Sequence, residues 1–494
     1  LHVDTGGGKS EAYFAVITFA LFYNRMKGYN RGVHSIVKFP LRMLSIQQLE
    51  RLATIVVNAD DIRKNNLLPQ GEPFSLGYYI GNSEEFPSKY AEIRSQLYHR
   101  GKVIEPAPSS LILPKCPFCR EKEEGIVSLH DDEIHKRIVH RCNSCNREFF
   151  IYYSDREIFR WRPSVIVSTV DKWAGLSSQR RARNLLGGSG SQCPYKHGFI
   201  PSGDYCEDNK EEAYSCKKIG GDEEGHDGPI LSIQDEMHLL KEGFGTISSH
   251  FESLIEYIVN KTSNHKIKHI AMSATLNGTK TQIHELYNKN TIIIPGTSPE
   301  GIGSSKDFFF EKLNGPKRII CGLKPNMQDN HTATLRTLLY YAEFIIEAQL
   351  TLLKNPDEFT KKYGCKTPQE AQDIITQFIV PVTYHLKKQD VQDMSRFRDY
   401  IINGELSQRY PGSVIGKVLT GDSKLEELKV AMNEVRDYIK NYNPEKVLSE
   451  TLTIDPLYAT SVISHGVDLE ELNFMVFQGI PYSTSEYIQA LSRV

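Results

Sequence analysis

What the sequence lacks narrows the field before any motif is read. Nowhere in its 494 residues does an apolar run reach the roughly 18 residues that a membrane-spanning helix needs. The longest, from Phe14 to Phe22, reads as a buried helix, and no membrane partner is expected. Cysteine is scarce: 9 in the whole chain are too few to staple a fold of this size, which excludes a disulfide scaffold. An excess of either charge is missing too. With 59 Lys plus Arg against 61 Asp plus Glu, the formal net charge is −2, so no global basic field draws in nucleic acid and any such binding must use a local groove. No secretory leader is legible, and a cytoplasmic location is the expectation.

What is present looks globular. Hydrophobic residues make up 39% and charged residues 24%, both ordinary values, and the length suggests about three domain-sized units. The chain opens on "LHVDTGGGKSEAY". A glycine run closed by Lys9 and Ser10 suits one task, wrapping backbone N–H groups around a phosphate while an ammonium neutralises it. The phosphate-loop pattern is met at Gly8, Lys9 and Ser10, but Val3 stands at its first glycine. Helical spacing at Ala12, Val16, Ala20 and Tyr23 follows, so a helix should start at the loop. A partner for this loop comes at "ILSIQDEMHLL", where the apolar run Ile230 to Ile233 predicts a buried parallel strand ending in Asp235, Glu236, Met237 and His238. Hydrolysis of a phosphoanhydride needs one carboxylate near Mg²⁺ and another to orient the attacking water, and adjacent Asp and Glu at a strand end suit both; the plainer reading is a solvated acidic turn.

Four cysteines fall into two knuckles, "CPFC" at Cys116 and Cys119 and "CNSC" at Cys142 and Cys145, with 22 residues between them. Each knuckle brings two thiolates to one side of a tetrahedral ion, so a zinc ribbon over about residues 110–150 is expected. Four sulfur ligands leave no coordination position open, which makes its role one of folding. Cys193, His197, Cys206 and Cys216 lie in a second insertion, about 187–228, at irregular spacing, and the sequence leaves open whether they form a second metal site or a loop with incidental cysteines. Cys321 and Cys365 read as buried small residues. Arg180, Arg181 and Arg183 could grip phosphate oxygens or line a solvated cationic face, and Trp161 and Trp173 could stack on bases or sit in the core.

Together "TGGGKS" and "DEMH" resemble the DExH-box helicases of superfamily 2. "AMSATL" (Ala271 to Leu276) is similar to that superfamily's Ser-Ala-Thr motif, "FPLRMLSIQQ" to its motif Ia and "VIVSTVDKWA" to its motif Ib region. "ATSVISHGVDLEELN" resembles motif V, and "EYIQALSRV" most of motif VI. The resemblance implies two tandem RecA-like α/β domains, parallel sheets flanked by helices, with the zinc ribbon inserted in the first. It implies domain 1 over 1–300, a helical connection over 301–370 and domain 2 over 371–494. Second-domain strands are expected in "FIVPVTYHL", "SVIGKVLTGD" and "FMVFQGI". The usual continuation of motif VI and the usual adenine-reading segment are missing, so the sequence is expected to be the motor segment of a longer polypeptide.

Roles follow from the same resemblance. Thr5, Gly6, Gly7, Gly8, Lys9 and Ser10 would hold ATP and Mg²⁺, with Asp235, Asp468 and Gln489. Glu236 would position the water, and Arg493 would reach the γ-phosphate. His238, Ser273, Thr275 and Gly466 would couple nucleotide state to the strand, and Arg42, Thr169, Lys172, Arg180 and Arg181 would contact nucleic acid. At finer grain the chain resembles the large helicase subunits of bacterial antiphage systems, DISARM above all, which implies DNA as substrate and a companion protein subunit as partner. The expected activity is ATP hydrolysis coupled to translocation. The alternatives are a DNA-repair or RNA helicase of the same superfamily, or a nucleotide-gated scaffold that binds nucleic acid without moving along it.

Overall fold

The structure is a computed structural model. It describes residues 9–40, 42–66, 68, 70–81, 89–99, 102–103, 111–119, 125–201, 206, 224–240, 242–273, 279–293, 318–410, 414, 416–420, 425–445, 456–460, 472–481 and 484–491. The chain divides into two compact units, Leu1–Glu311 and Lys312–Val494.

The first unit is built on six strands, β1 (Ser35–Phe39), β2 (Leu76–Tyr79), β3 (Ile151–Tyr152), β4 (Val165–Thr169), β5 (Leu231–Gln234) and β6 (Lys268–Ala271), in the spatial order β6-β5-β1-β4-β2-β3. Every neighbouring pair is parallel. Parallel strands need crossovers that return the chain to the same edge. Helices Arg42–Asn65 (after β1), Asp155–Trp161 (after β3) and Glu242–Thr262 (after β5) serve as such connections. They cover the sheet's faces, so "SIVKF", "VIVST" and "LSIQ" are buried at every position and read as runs rather than as alternation. One face packs Ile36, Ile166 and Tyr79 against Trp173, Ile255 and Val259, which puts Trp173 in the core.

Helix Lys9–Met26 does begin beside the glycine run, but of the expected row Ala20 is buried while the rest of the buried face lies one residue on. Tyr13, Ile17, Ala20, Leu21 and Asn24 face inward, whereas Val16 is 36% and Tyr23 43% exposed. Both rows keep helical spacing. The inner row carries the larger aliphatic side chains, and Arg25 closes it by donating to the carbonyls of Asn30 at 2.6 Å and Glu72 at 2.7 Å.

Two antiparallel insertions hang from this sheet. Between β2 and β3, strands Val127–Asp132, Arg137–Cys142 and Glu148–Phe149 form the expected ribbon. Between β4 and β5, strands Phe199–Pro201 and Glu224–His226 flank Gly188–Gln192. Helix Asp155–Trp161 adjoins both. Its Ser154–Glu157 pair forms a capping box in which the Glu157 carboxylate also accepts from the ribbon's Ile138 N–H at 2.6 Å.

The second unit carries a four-stranded parallel sheet of β7 (Val382–His385), β8 (Lys417–Leu419), β9 (Leu457–Ala459) and β10 (Met475–Gln478), in the order β8-β9-β7-β10. Helix Asn330–Lys354 starts at an Asp329 cap and buries Leu335, Leu338, Leu339, Ala342, Ile345 and Ile346. Both units therefore have the α/β architecture of parallel sheets and flanking helices that the motifs lead one to expect. Two minor expectations fail: Cys321 is exposed, in a stretch outside any element, and Cys365 is half-buried just after the Gly364 helix cap. The described cysteines form no disulfide, and among the described residues no helix is long and apolar enough to cross a membrane.

Candidate functional site

The acidic motif sits where the carboxyl ends of parallel strands meet, the edge at which open α/β sheets bind ligands. Strand β5 lies between β1 and β6, and Gln234 is level with Lys38 and Ala271. The Asp235 N–H donates to the Lys38 carbonyl at 3.0 Å, so the aspartate leaves the sheet still tied to its neighbour. Glu236 then takes a left-handed conformation, φ 43° and ψ 47°. A non-glycine residue there stores about 1–2 kcal/mol of strain. The turn is held by the Glu236 N–H donating to Asp235 Oδ1 at 2.9 Å and the Met237 N–H donating to the Met272 carbonyl at 2.8 Å. Gln282 braces it from outside, donating to the carbonyls of Met237 at 3.1 Å and Leu240 at 2.7 Å.

This turn assembles a polar chain across two strand ends. His238 Nδ1 lies 3.3 Å from Glu236 Oε2 and 3.3 Å from Ser273 Oγ, with His238 and Ser273 buried. The Glu236 carboxylate is thereby in contact, through one imidazole, with the end of the neighbouring strand. Helix Lys9–Met26 joins from the other side. Burial, then the nearby Asp235 charge, hold the Tyr13 phenol well above its ordinary value, and the Ser10 hydroxyl bonds it. The first turns of that helix thus face Asp235, with its N-terminal partial positive charge at the same end.

The other expected site residues are placed as follows. Thr5, Gly6, Gly7, Gly8, Thr275, Gly466, Asp468, Arg493 and Cys216 lie outside the described residues. Lys9 and Arg42 each begin a helix. Gln489 is buried in helix Thr484–Leu491 of the second unit. Thr169 caps the short helix Val170–Ala174 and is buried, while Lys172 pairs with Asp155 at 2.8 Å and lies over the Tyr79 ring. Arg180 and Arg181 open the 3₁₀ turn Arg180–Leu185 at the surface. Trp161 stacks on Tyr152 beneath the Arg137 guanidinium.

Lys38, one residue before the end of β1, is missing from the sequence reading. Its ammonium pairs with Glu252 of helix Glu242–Thr262, both side chains almost wholly buried, 5.7 Å from the Tyr287 ring centroid. The signal was available: a lysine inside a strand as apolar as "SIVKF" must find an anion, although nothing local says which.

Two groups of soft ligands come together. Cys116, Cys119, Cys142 and Cys145 hold their sulfurs within 4.8 Å of one another, as the ribbon spacing predicts. The Cys145 N–H donates to Cys142 Sγ at 3.5 Å. Burial raises the Cys142 thiol, but the N–H groups of Cys145 and Ser144 bring it down to about 7. Gly125 is needed here, since a Cβ would meet the Cys119 carbonyl at 2.7 Å. Cys193, His197 and Cys206 form the second group, all buried, with ligand atoms likewise within 4.8 Å.

Fold and site define a class: tandem parallel α/β units, the first with an Asp-Glu pair at the carboxyl edge facing a helix that follows a glycine-lysine-serine run. No protein-family model matches the chain. It is 29% identical over 531 aligned residues, 100% of this chain, to the DISARM protein DrmA of Bacillus paralicheniformis. The chain spans 44% of that protein's length. Among solved structures, Mycobacterium smegmatis helicase Lhr bound to ssDNA and AMP-PNP aligns over 96% of this chain and 40% of that one, at 11% identity and a TM-score of 0.42. The DUF1998 helicase MrfA bound to DNA aligns over 100% and 41%, at 11% identity and 0.46.

Proposed function

We propose that this chain is an ATP-driven nucleic-acid motor, a helicase-type translocase acting on DNA in bacterial antiphage defence. The observation that carries the reading is the juxtaposition of Asp235 and Glu236 at the carboxyl end of β5 with the Ser10–Tyr13 turn of the helix behind the glycine run. The identity to DrmA over the whole chain supports the defence context, and a companion protein subunit belongs to the same proposal.

Residues present fit a nucleotide and its magnesium. Asp235 and Ser10 are hard oxygen donors of the kind Mg²⁺ takes, and the ion bound with ATP would neutralise charge on the β- and γ-phosphates. Thr5 to Gly8 would supply backbone N–H groups to the phosphates, and Lys9 an ammonium. Glu236 orients the attacking water and receives its proton. Its contact with His238, and through it Ser273, lets the state of one strand end report on the other. Gly466, Asp468, Gln489 and Arg493 carry the roles of the second unit in this proposal, and the nucleic-acid contacts of Arg42, Thr169, Lys172, Arg180 and Arg181 belong to it as well. The four-cysteine ribbon would hold zinc for folding.

ATP turnover measured alone, with single-stranded and duplex DNA, and with RNA tests the reading. Stimulation by DNA supports the DNA motor, and stimulation by RNA alone supports an RNA helicase. Nucleotide-dependent binding of nucleic acid without hydrolysis would replace the motor by a scaffold. Lys9→Ala should abolish stimulated turnover, with the melting profile measured alongside to separate a lost site from a lost fold.

A further inference from the structure

We infer that Cys193, His197 and Cys206 bind a second zinc ion, separate from the ribbon, which fixes the insertion between β4 and β5 onto helix Asp155–Trp161.

The geometry is that of donors around a tetrahedral ion. With zinc bonds of about 2.3 Å to sulfur and 2.0 Å to nitrogen, neighbouring donors stand about 3.5–3.8 Å apart. All three ligand atoms lie within 4.8 Å of one another, and His197 Nδ1 is 3.3 Å from Cys206 Sγ. Two of the donors are delivered by one tight turn, Cys193-Pro-Tyr-Lys-His197. The Lys196 N–H donates to the Cys193 carbonyl at 2.8 Å, and the Cys193 N–H to the Gly198 carbonyl at 2.9 Å. Lys196 at φ 62° and Gly198 at φ 92° are both left-handed, which folds His197 back toward Cys193. Gly198 is also required sterically, because a Cβ there would come within 3.0 Å of the Arg160 backbone and Cβ.

Outer contacts orient the ligands. Arg160 donates from Nη1 to Cys206 Sγ at 3.2 Å and to the His197 carbonyl at 2.9 Å, the kind of second layer that metal ligands carry. Two thiolates and a neutral imidazole balance a doubly charged ion, and a set of two sulfurs and one nitrogen favours zinc over the oxygen-seeking cations. Three protein ligands leave one position for a further donor.

Among the described residues the insertion is held to the rest of the unit mainly by Phe199, buried against His226 and the Arg162 guanidinium. Its middle strand reads "GSGSQ", and its own apolar cluster is Cys193, Ile200 and Cys206, two of them proposed ligands. So small an antiparallel sheet buries little apolar surface of its own, and a metal bond network would add to what offsets its ordering entropy.

Elemental analysis of the full chain, purified without chelator or added metal, tests the inference. The expected count is two zinc per chain, falling to one in Cys116→Ser/Cys119→Ser and to one in Cys193→Ser/Cys206→Ser. Cobalt exchange into Cys116→Ser/Cys119→Ser should still give the thiolate-to-cobalt bands of a tetrahedral site. If Cys193→Ser/Cys206→Ser does not fold, cobalt titration of the unaltered chain decides, two equivalents supporting the site and one overturning it. One zinc per chain lost entirely with Cys116 and Cys119, or a Cys193–Cys206 disulfide in the mass spectrum of unreduced protein, would also overturn it.

Discussion

Replacing Glu252 by alanine strands the Lys38 ammonium inside the first unit. The two side chains are 1% and 5% exposed, so water cannot take over the lost partner. Breaking a buried pair on one side costs about 3–5 kcal/mol. At about 2 °C per kcal/mol for a unit this large, Glu252→Ala should melt some 6–10 °C below the unaltered protein. Removing both charges, as in Lys38→Met/Glu252→Leu, should recover most of that loss, because apolar replacement of a buried pair is often neutral. Differential scanning calorimetry of the three proteins at one pH checks this. A Glu252→Ala melt within 2 °C of the unaltered protein would refute the reasoning, as would a double variant worse than the single one.

Acid should destabilise the first unit through His34, which is 2% exposed. Burial, then the Arg25 and His265 charges, lower its value from 6.5 to about 3. Between those values the unfolded chain binds the extra proton, so stability is complete above pH 6.5 and falls by about 1.4 kcal/mol per unit as pH drops toward 3. Denaturant titrations at pH 7 and 5 should show His34→Gln losing about 2 kcal/mol less over that interval; equal losses would remove His34 as a cause. For the ribbon, Cys116→Ser/Cys119→Ser should release one zinc and free residues 111–149 to exchange amide hydrogens, while basal ATP turnover persists in part. Unchanged protection after metal loss would show that zinc does not fold it.

The sequence made the acidic edge readable because its chemistry is concentrated in runs: strand, acidic pair and histidine occupy consecutive positions in "ILSIQDEMH". The ribbon was readable for a similar reason, each knuckle being a local turn whose spacing reports ligand geometry. What stayed hidden depends on distance. Glu252 answers Lys38 from 214 positions away, and Tyr13 meets Asp235 only because a helix and a strand end converge. The second cysteine group has irregular spacing because Cys206 arrives from a separate segment while Cys193 and His197 share a turn. Along helix Lys9–Met26, two rows one residue apart satisfy the same periodicity, and only packing against the sheet chooses between them. Thr169 lies buried at the start of helix Val170–Ala174, a setting that its motif alone does not announce.

The central claim is that Glu236 positions water at a nucleotide held between Asp235 and the helix behind the glycine run. Single-turnover hydrolysis of radiolabelled ATP by Glu236→Gln, with saturating DNA and ATP binding measured in parallel, tests it most directly. The carboxamide keeps the shape but cannot take the proton, so the account predicts ATP binding within a few-fold of the unaltered protein and a stimulated rate lower by about 10²–10⁴-fold. Hydrolysis by Glu236→Gln at the unaltered rate would contradict it.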